Sequence, residues 1–138
     1  MAVTIRRNFP PLKDLTFSDR GLIREVLLLL RERIIRRTLS GRDESGAAFR
    51  RYSPTYKKQG TVNLQDTGQM LQGITPTRVQ ERRGELGFKG GGALQKATWH
   101  HVTGAGRSRV IRRFFGITRE DEDTAFKRVE AFIARRLS

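Results

Sequence analysis

The chain contains no cysteine, which excludes disulfide bonds and thiolate metal sites. Long apolar runs are also absent: the longest, Val26 to Leu30, is far shorter than the roughly 20 residues that a membrane-spanning helix needs. No apolar stretch follows Arg6 and Arg7, so the start of the sequence does not resemble a secretory signal peptide. With 138 residues, 36% of them hydrophobic, the chain suits one domain with a small core. We therefore expect a single domain over residues 18–138, outside any membrane and in a reducing compartment.

Acidic residues are scarce relative to basic ones. The chain has 28 lysines and arginines against 14 aspartates and glutamates, which leaves a net charge of +14. Half of this excess lies between Thr75 and Ile117, where nine basic residues face two acidic ones. Such a segment attracts polyanions, and an acidic protein would satisfy it equally well. The charge predicts the sign of a partner and not its identity.

The usual signatures of catalysis, metals and cofactors are missing. His100 and His101 are adjacent, and neighbouring residues on a helix point about 100° apart, so they chelate one metal poorly. The glycines at 90–92 lack the Gly-Lys-Ser/Thr end of a phosphate loop. The acidic run from Glu120 to Asp123 is explained by the positive end of a helix. We predict no catalytic residue, no metal site and no cofactor.

The hydrophobic pattern predicts an α+β fold, in which a long N-terminal helix and a C-terminal helix pack on a small antiparallel sheet. The first helix begins with Ser18 as its N-cap and ends at Ser40-Gly41. The last helix begins at Thr118, with Asp121 completing a capping box. Residues 1–17 contain two prolines and no periodic pattern, so we predict an extended N-terminal arm.

The sequence pattern in the middle of the chain predicts a long ordered loop, followed by short helices and strands. Asp66-Thr67 is expected to cap a short helix, and a helix over residues 93–102 is expected to end at Gly104. Alternating residues at 75–80 and 85–89 predict a hairpin with its turn at 82–85. Residues 110–117 are rich in β-branched and aromatic side chains and predict a third strand.

Two groups of residues suggest contact surfaces, each with a plainer alternative. Tyr52, Pro54 and Tyr56 suit an interface, or they pin the long loop to its own domain. Four arginines follow a glycine-rich segment and suit a phosphate-binding surface or a solvated sheet edge; they are Arg107, Arg109, Arg112 and Arg113. The pair Phe114-Phe115 next to these arginines is typical of interfaces.

Several motifs occur here in one order. They are Gly41-Arg42-Asp43 with Gly46 and Phe49, Tyr52-Ser53-Pro54-Thr55-Tyr56, Leu64 with Asp66-Thr67-Gly68 and Met70-Leu71, His100 or His101 followed by Gly104, and Arg113-Phe114-Phe115-Gly116-Ile117. Over residues 18–138 this set resembles the phage virion morphogenesis family, the tail-completion proteins of Mu-like and related contractile-tailed phages. The N-terminal arm lies outside the resemblance, and residues 78–106 match it only loosely.

The resemblance implies a structural virion protein without enzymatic activity, assembled in the host cytoplasm. Such a protein would form a ring, commonly hexameric, where the finished tail meets the DNA-filled head. Its partners would be its own copies, neighbouring neck, head-connector and tail-tube or terminator proteins, and the DNA in the channel. We predict subunit contacts at Arg42, Phe49, Tyr52, Pro54, Tyr56, Phe114 and Phe115, and a basic contact surface at Arg107, Arg109, Arg112 and Arg113. The alternative is a free nucleic-acid-binding module that uses the same arginines.

Overall fold

A computed structural model describes residues 3–6, 19–51, 64, 68–81, 83–104 and 109–137. They form an α+β arrangement with a long helix near each end, which confirms the predicted fold class. Helix α1 contacts the sheet through β2 and β3, and it also contacts α4. In chain order the elements are β1 (Val3–Arg6), α1 (Arg20–Leu39), α2 (Gln69–Gln72), β2 (Ile74–Val79), β3 (Arg83–Phe88), α3 (Gly91–Thr98), a π-helical turn (Trp99–Thr103) and α4 (Arg119–Leu137).

Helix α1 begins one residue later than predicted. Its N-cap is Asp19, whose Oδ1 accepts a hydrogen bond from the Leu22 amide at 2.9 Å, whereas Ser18 lies outside the described residues. The predicted end at Ser40-Gly41 is confirmed, since Gly41 takes a φ of 83° and reverses the chain. One face of the helix is buried at Leu22, Ile23, Val26, Leu27, Leu30, Ile34 and Thr38.

The sheet has three antiparallel strands in the order β1-β3-β2. The predicted hairpin is present as β2 and β3, but its turn comes earlier: the Gln80 amide donates to the Arg83 carbonyl at 2.8 Å, and Gly84 already lies within β3. Gly84 is where β3 meets α1. A Cβ there would lie 2.6 Å from Ile23 Cγ2, so the absence of a side chain lets strand and helix approach closely.

The third strand is not the predicted one. Residues 110–117 form none of the named strands, and β1 instead pairs with β3, from Val3 opposite Leu86 to Arg6 opposite Arg83. The segment predicted as an extended arm therefore supplies an edge strand. Strand β3 is the central strand, with β2 on one edge and β1 on the other. The backbone of 110–117 bonds elsewhere, for example from the Arg112 amide to the His100 carbonyl at 2.6 Å.

The remaining elements largely follow the predictions. The capping box of α4 is confirmed: the Thr118 amide donates to Asp121 Oδ2 at 2.9 Å, and the Asp121 amide donates to Thr118 Oγ1 at 3.1 Å. Helix α3 begins two residues earlier than predicted, at Gly91, and its π-helical extension ends at Gly104. The predicted cap Asp66-Thr67 and most of the loop between residues 52 and 67 lie outside the described residues. Within the described part of the chain, no helix is long and apolar enough to cross a membrane.

Candidate contact surface

The first part of the long loop is a tight, hydrogen-bonded turn. Oδ1 of Asp43 accepts from the amides of Ser45 at 2.8 Å and Ala47 at 3.0 Å, and from the Ser45 hydroxyl at 2.6 Å. Partial burial raises the pKa of Asp43, but these hydrogen bonds lower it by more. The net pKa of this carboxyl therefore lies below its ordinary value. The turn closes with a φ of 87° at Gly46 and a backbone bridge between Arg42 and Ala48.

This turn meets two other segments that carry the family resemblance. The Glu44 amide donates to the Arg113 carbonyl at 2.7 Å, and a Cβ on Gly116 would lie 2.1 Å from Glu44 Oε2. His101 completes the contact, since its Nδ1 accepts from the Phe115 amide at 3.2 Å and its Nε2 lies 4.0 Å from Glu44 Oε2. We call this meeting of residues 41–49, His101 and residues 113–116 the junction. Segments far apart in sequence are thus locked into one unit.

Arg112 is not part of a contact surface, contrary to the prediction. Its side chain is buried, with Nε donating to the Arg50 carbonyl at 3.0 Å and Nη2 donating to the Arg51 carbonyl at 3.1 Å. A guanidinium carries several donors in one plane, so a single side chain can bind two successive carbonyls. Arg112 therefore holds the end of the loop turn against residues 110–114.

The three predicted phenylalanine contacts lie in the core rather than on the surface. Phe114 is fully buried, and Phe49 and Phe115 are also buried. Phe88 packs against both neighbouring rings, with centroid distances of 6.2 Å to Phe114 and 4.8 Å to Phe115. In the folded chain these side chains are covered by their own domain, so they offer almost no surface to a second subunit.

Residues 111–114 alternate between exposed and buried side chains. Ile111 and Arg113 are exposed, whereas Arg112 and Phe114 are buried. Arg109 is exposed too and takes a positive φ of 49°, which is uncommon for a residue with a side chain. The outward side of this segment therefore combines two cations with one apolar side chain.

The π-helical turn extends this outward side. The hydrogen bond from the Arg112 amide to the His100 carbonyl sets residues 110–112 beside the turn. Trp99 and Val102 are 47% and 53% exposed. We call the set of Trp99, Val102, Arg109, Ile111 and Arg113 the outer face.

The predicted site residues therefore separate into three groups. Arg42, Arg109 and Arg113 are exposed around the junction. Phe49, Arg112, Phe114 and Phe115 are buried. Tyr52, Pro54, Tyr56 and Arg107 lie outside the described residues. Sequence reasoning missed the apolar members of the outer face, and the run Ile-Arg-Arg-Phe at 111–114 has no alternation of apolar and polar residues that could have identified Ile111.

Sequence reasoning also missed an ion-pair network that positions the junction. Asp121 is buried, and its two oxygens accept from Arg33 Nε and Arg37 Nη1, each at 2.6 Å. Nη2 of Arg37 then donates to the carbonyls of Phe114 at 3.1 Å and Gly116 at 2.6 Å. The network therefore ties α1 to the start of α4 and to the Phe-Phe-Gly segment.

The same network keeps Asp121 ionised. Burial raises the pKa of this carboxyl, but the hydrogen bond from the Thr118 amide and the two arginines lower it by more, so the net pKa lies below the ordinary value. An open groove of about 850 Å³ runs along this region between α1, the loop turn and the start of α4. Across the described part of the chain, no three histidine or carboxylate side chains converge as metal ligands would.

The chain matches no family model, no curated protein and no solved structure. The resemblance to the tail-completion proteins consequently rests on the residues of this sequence.

Proposed function

We propose that this chain is a structural protein of a phage virion, which completes the tail and joins it to the DNA-filled head as one subunit of a ring. The observation that supports this proposal best is the junction. The Gly-Arg-Asp turn, His101 (one of the two histidines before Gly104) and the Phe-Phe-Gly segment belong to the motifs of the resemblance, and they contact one another directly. Motifs that are far apart in sequence therefore meet at one place in the fold.

The surface around the junction has the composition of a contact region. Aromatic and arginine side chains dominate the centres of protein interfaces. Trp99 and Ile111 are each 47% exposed, and Arg109 and Arg113 lie beside them. Such apolar exposure is costly in an isolated subunit and is relieved when a neighbour covers it. Residues 109–113 are held in place by the buried side chain of Arg112, which binds two carbonyls of the loop turn, and by the buried Phe114 that follows them.

The proposal is tested with the purified chain and with virions. Sedimentation and native mass measurements should show a closed oligomer, either for the chain alone or after addition of tail tubes from the same phage. Disruption of the gene should yield DNA-filled heads and unattached tails, and mass spectrometry should find the chain in purified virions. A chain that stays monomeric alone and with tail tubes, and that is absent from virions, would refute the proposal.

A second function, free nucleic-acid binding, is supported by the exposure of five arginines around the junction: Arg42, Arg50, Arg51, Arg109 and Arg113. Each cation that contacts a phosphate steepens the salt dependence of duplex binding by about one unit on a logarithmic plot. Duplex binding measured across salt concentrations therefore separates the two functions. Tight binding by the isolated monomer, with a slope reduced by Arg109→Ala and Arg113→Ala, would favour the nucleic-acid module over the ring subunit.

A further inference from the structure

A cleft of about 240 Å³ lies between the loop turn and residues 111–113. Its lining consists of Asp43 and residues 48–50 from the turn, and of residues 111–113 from the other side. Two hydrogen bonds tie these segments together: Arg112 Nε donates to the Arg50 carbonyl at 3.0 Å, and the Glu44 amide donates to the Arg113 carbonyl at 2.7 Å. The backbone on both sides of the cleft is therefore held in place.

The cleft combines apolar surface with positive charge. Ile111 is 47% exposed, and Ala48 is exposed as well. Arg50 and Arg113 are exposed, and neither forms an ion pair with a carboxylate in the described part of the chain. The carboxylate of the lining is Asp43, whose Oδ1 already accepts three hydrogen bonds within the turn. The lining therefore keeps an excess of positive charge next to its apolar groups.

The size and chemistry of the cleft suit a side chain of a docking segment. Sites for cofactors and other small organic ligands usually exceed about 300 Å³, so a cleft of about 240 Å³ is small for such a ligand. An apolar side chain in the cleft would remove Ile111 and Ala48 from water, which stabilises a complex. Carboxylates next to that side chain would give Arg50 and Arg113 opposite charges and orient the segment.

We propose that this cleft docks a segment of another protein in which an apolar side chain lies next to aspartate or glutamate. Nucleic acid fits less well, because phosphates would leave Ile111 uncovered. Bases stack on exposed aromatic faces, whereas Phe49, the aromatic residue of the lining, is only 7% exposed. A second copy of this chain also fits less well, because it carries a net charge of +14.

This inference deepens the proposed function. It rests on the contact region around the junction, and it assigns the cleft within that region to a different, acidic protein rather than to the neighbouring ring subunit. The docking itself needs only the folded chain, so it can be measured without a ring.

Peptide selection tests the docking chemistry on the whole chain. The purified chain selects from a random library of short displayed peptides, and sequencing identifies the enriched ones. These peptides should share an apolar residue beside aspartate or glutamate. The most enriched peptide, made synthetically, should shift the amide NMR signals of Ala48 and Ile111 in the wild-type chain. This measurement does not depend on the folding of any variant.

Substitutions in the cleft then test the contribution of each group. Arg50→Glu with Arg113→Glu should weaken binding of the synthetic peptide roughly tenfold or more, and Ile111→Ser should weaken it several-fold. A peptide with lysines in place of its carboxylates should bind the doubly reversed variant better than the wild type. The matched control is Arg20→Glu with Arg24→Glu, which makes the same change in net charge at exposed arginines of α1 and should leave the affinity unchanged. Circular dichroism checks that each variant is folded.

Several results would overturn the docking. They are the absence of enriched peptides, enriched peptides without carboxylates, NMR shifts away from the cleft, and an equal loss of affinity in the control pair. If the cleft variants weaken only duplex binding or only self-association, the cleft contacts nucleic acid or a second copy, and the proposal is wrong. Sedimentation of the wild type reports on the ring separately. A closed ring without peptide binding would refute the docking alone, whereas a monomer that binds such peptides would refute the ring and leave the docking standing.

Discussion

Mild acid should destabilise this protein because of His100. The side chain is largely buried, its Nδ1 has no hydrogen-bond partner within the described structure, and Arg112 lies nearby. Burial first, and then the positive charge of Arg112, lowers the pKa of His100 from 6.5 to about 4. In the unfolded chain the same imidazole binds its proton near pH 6.5. Between these values the unfolded state holds more protons, so each fall in pH favours unfolding.

The expected loss is large relative to the stability of a small domain. The difference between 6.5 and about 4 corresponds to about 3 kcal/mol once both states are protonated. By the same linkage, the free energy of unfolding should be lower by about 1 kcal/mol at about pH 5.5, and by about 2 kcal/mol near pH 4.5, than at neutral pH. The contribution is fully present above pH 6.5. A typical domain has only about 5–15 kcal/mol in total.

His101 acts in the same direction. Burial lowers the pKa of His101, the Glu44 carboxylate raises it, and Arg113 lowers it again, with a net value below the ordinary one. Protonation of His101 at Nδ1 would also remove the acceptor for the Phe115 amide. The wild-type slope between pH 6.5 and 4 is therefore the sum of two histidines, and the His100 part must be isolated by substitution.

Urea unfolding followed by circular dichroism at a series of pH values measures the effect. The matched variant is His100→Leu, which removes the titrating group and its unpartnered nitrogen while keeping an apolar side chain of similar size. It should unfold with a much weaker pH dependence than the wild type. Proton NMR titration of the His100 ring gives its pKa directly in the folded chain. A wild-type free energy that stays constant down to pH 4.5, or an NMR pKa near 6.5, would refute the reasoning.

Two further substitutions probe the junction and its support. Gly116→Ala should lower the free energy of unfolding by about 2 kcal/mol, because the new Cβ would lie 2.1 Å from Glu44 Oε2. The control is Gly91→Ala, which has open space around it and should change the stability little. Equal thermal stability of the two variants would contradict the packing argument. Asp121→Asn should cost about 3 kcal/mol in urea unfolding, since it leaves two buried or half-buried arginines without their carboxylate. The wild type should lose the same contribution only below about pH 3.8, and a loss near neutral pH would point to another group.

Features that depend on neighbours in sequence were predicted well. The buried face of α1 follows from apolar residues at helical spacing, and its end at Gly41 follows from a glycine that tolerates a φ of 83°. The capping box of Thr118 and Asp121 involves residues only three apart. These elements are stabilised by interactions within one or two helical turns, so a local pattern carries nearly all the information about them.

Features that depend on distant partners were predicted poorly. Residues 110–117 have the composition of a strand, but the place beside β3 is taken by β1, and the Arg112 amide bonds to the His100 carbonyl instead. Phe114 and Phe115 next to arginines suggest an interface, but the core formed with Phe88 takes up both rings. Composition describes what a side chain prefers, whereas its burial depends on which elements of the chain arrive beside it.

The sequence by itself determined the two long helices, the hairpin, the α+β class and the strong positive charge, because spacing, capping and composition are local or additive properties. Only the tertiary structure decided which arginines are available to a partner. Arg112 and Arg113 are adjacent and chemically identical, yet one is buried and binds carbonyls about sixty residues away in sequence, while the other is exposed on the outer face. Arg112 is directed toward the packed core and Arg113 toward the outside, and these directions are fixed only once the distant segments that form the core have come together.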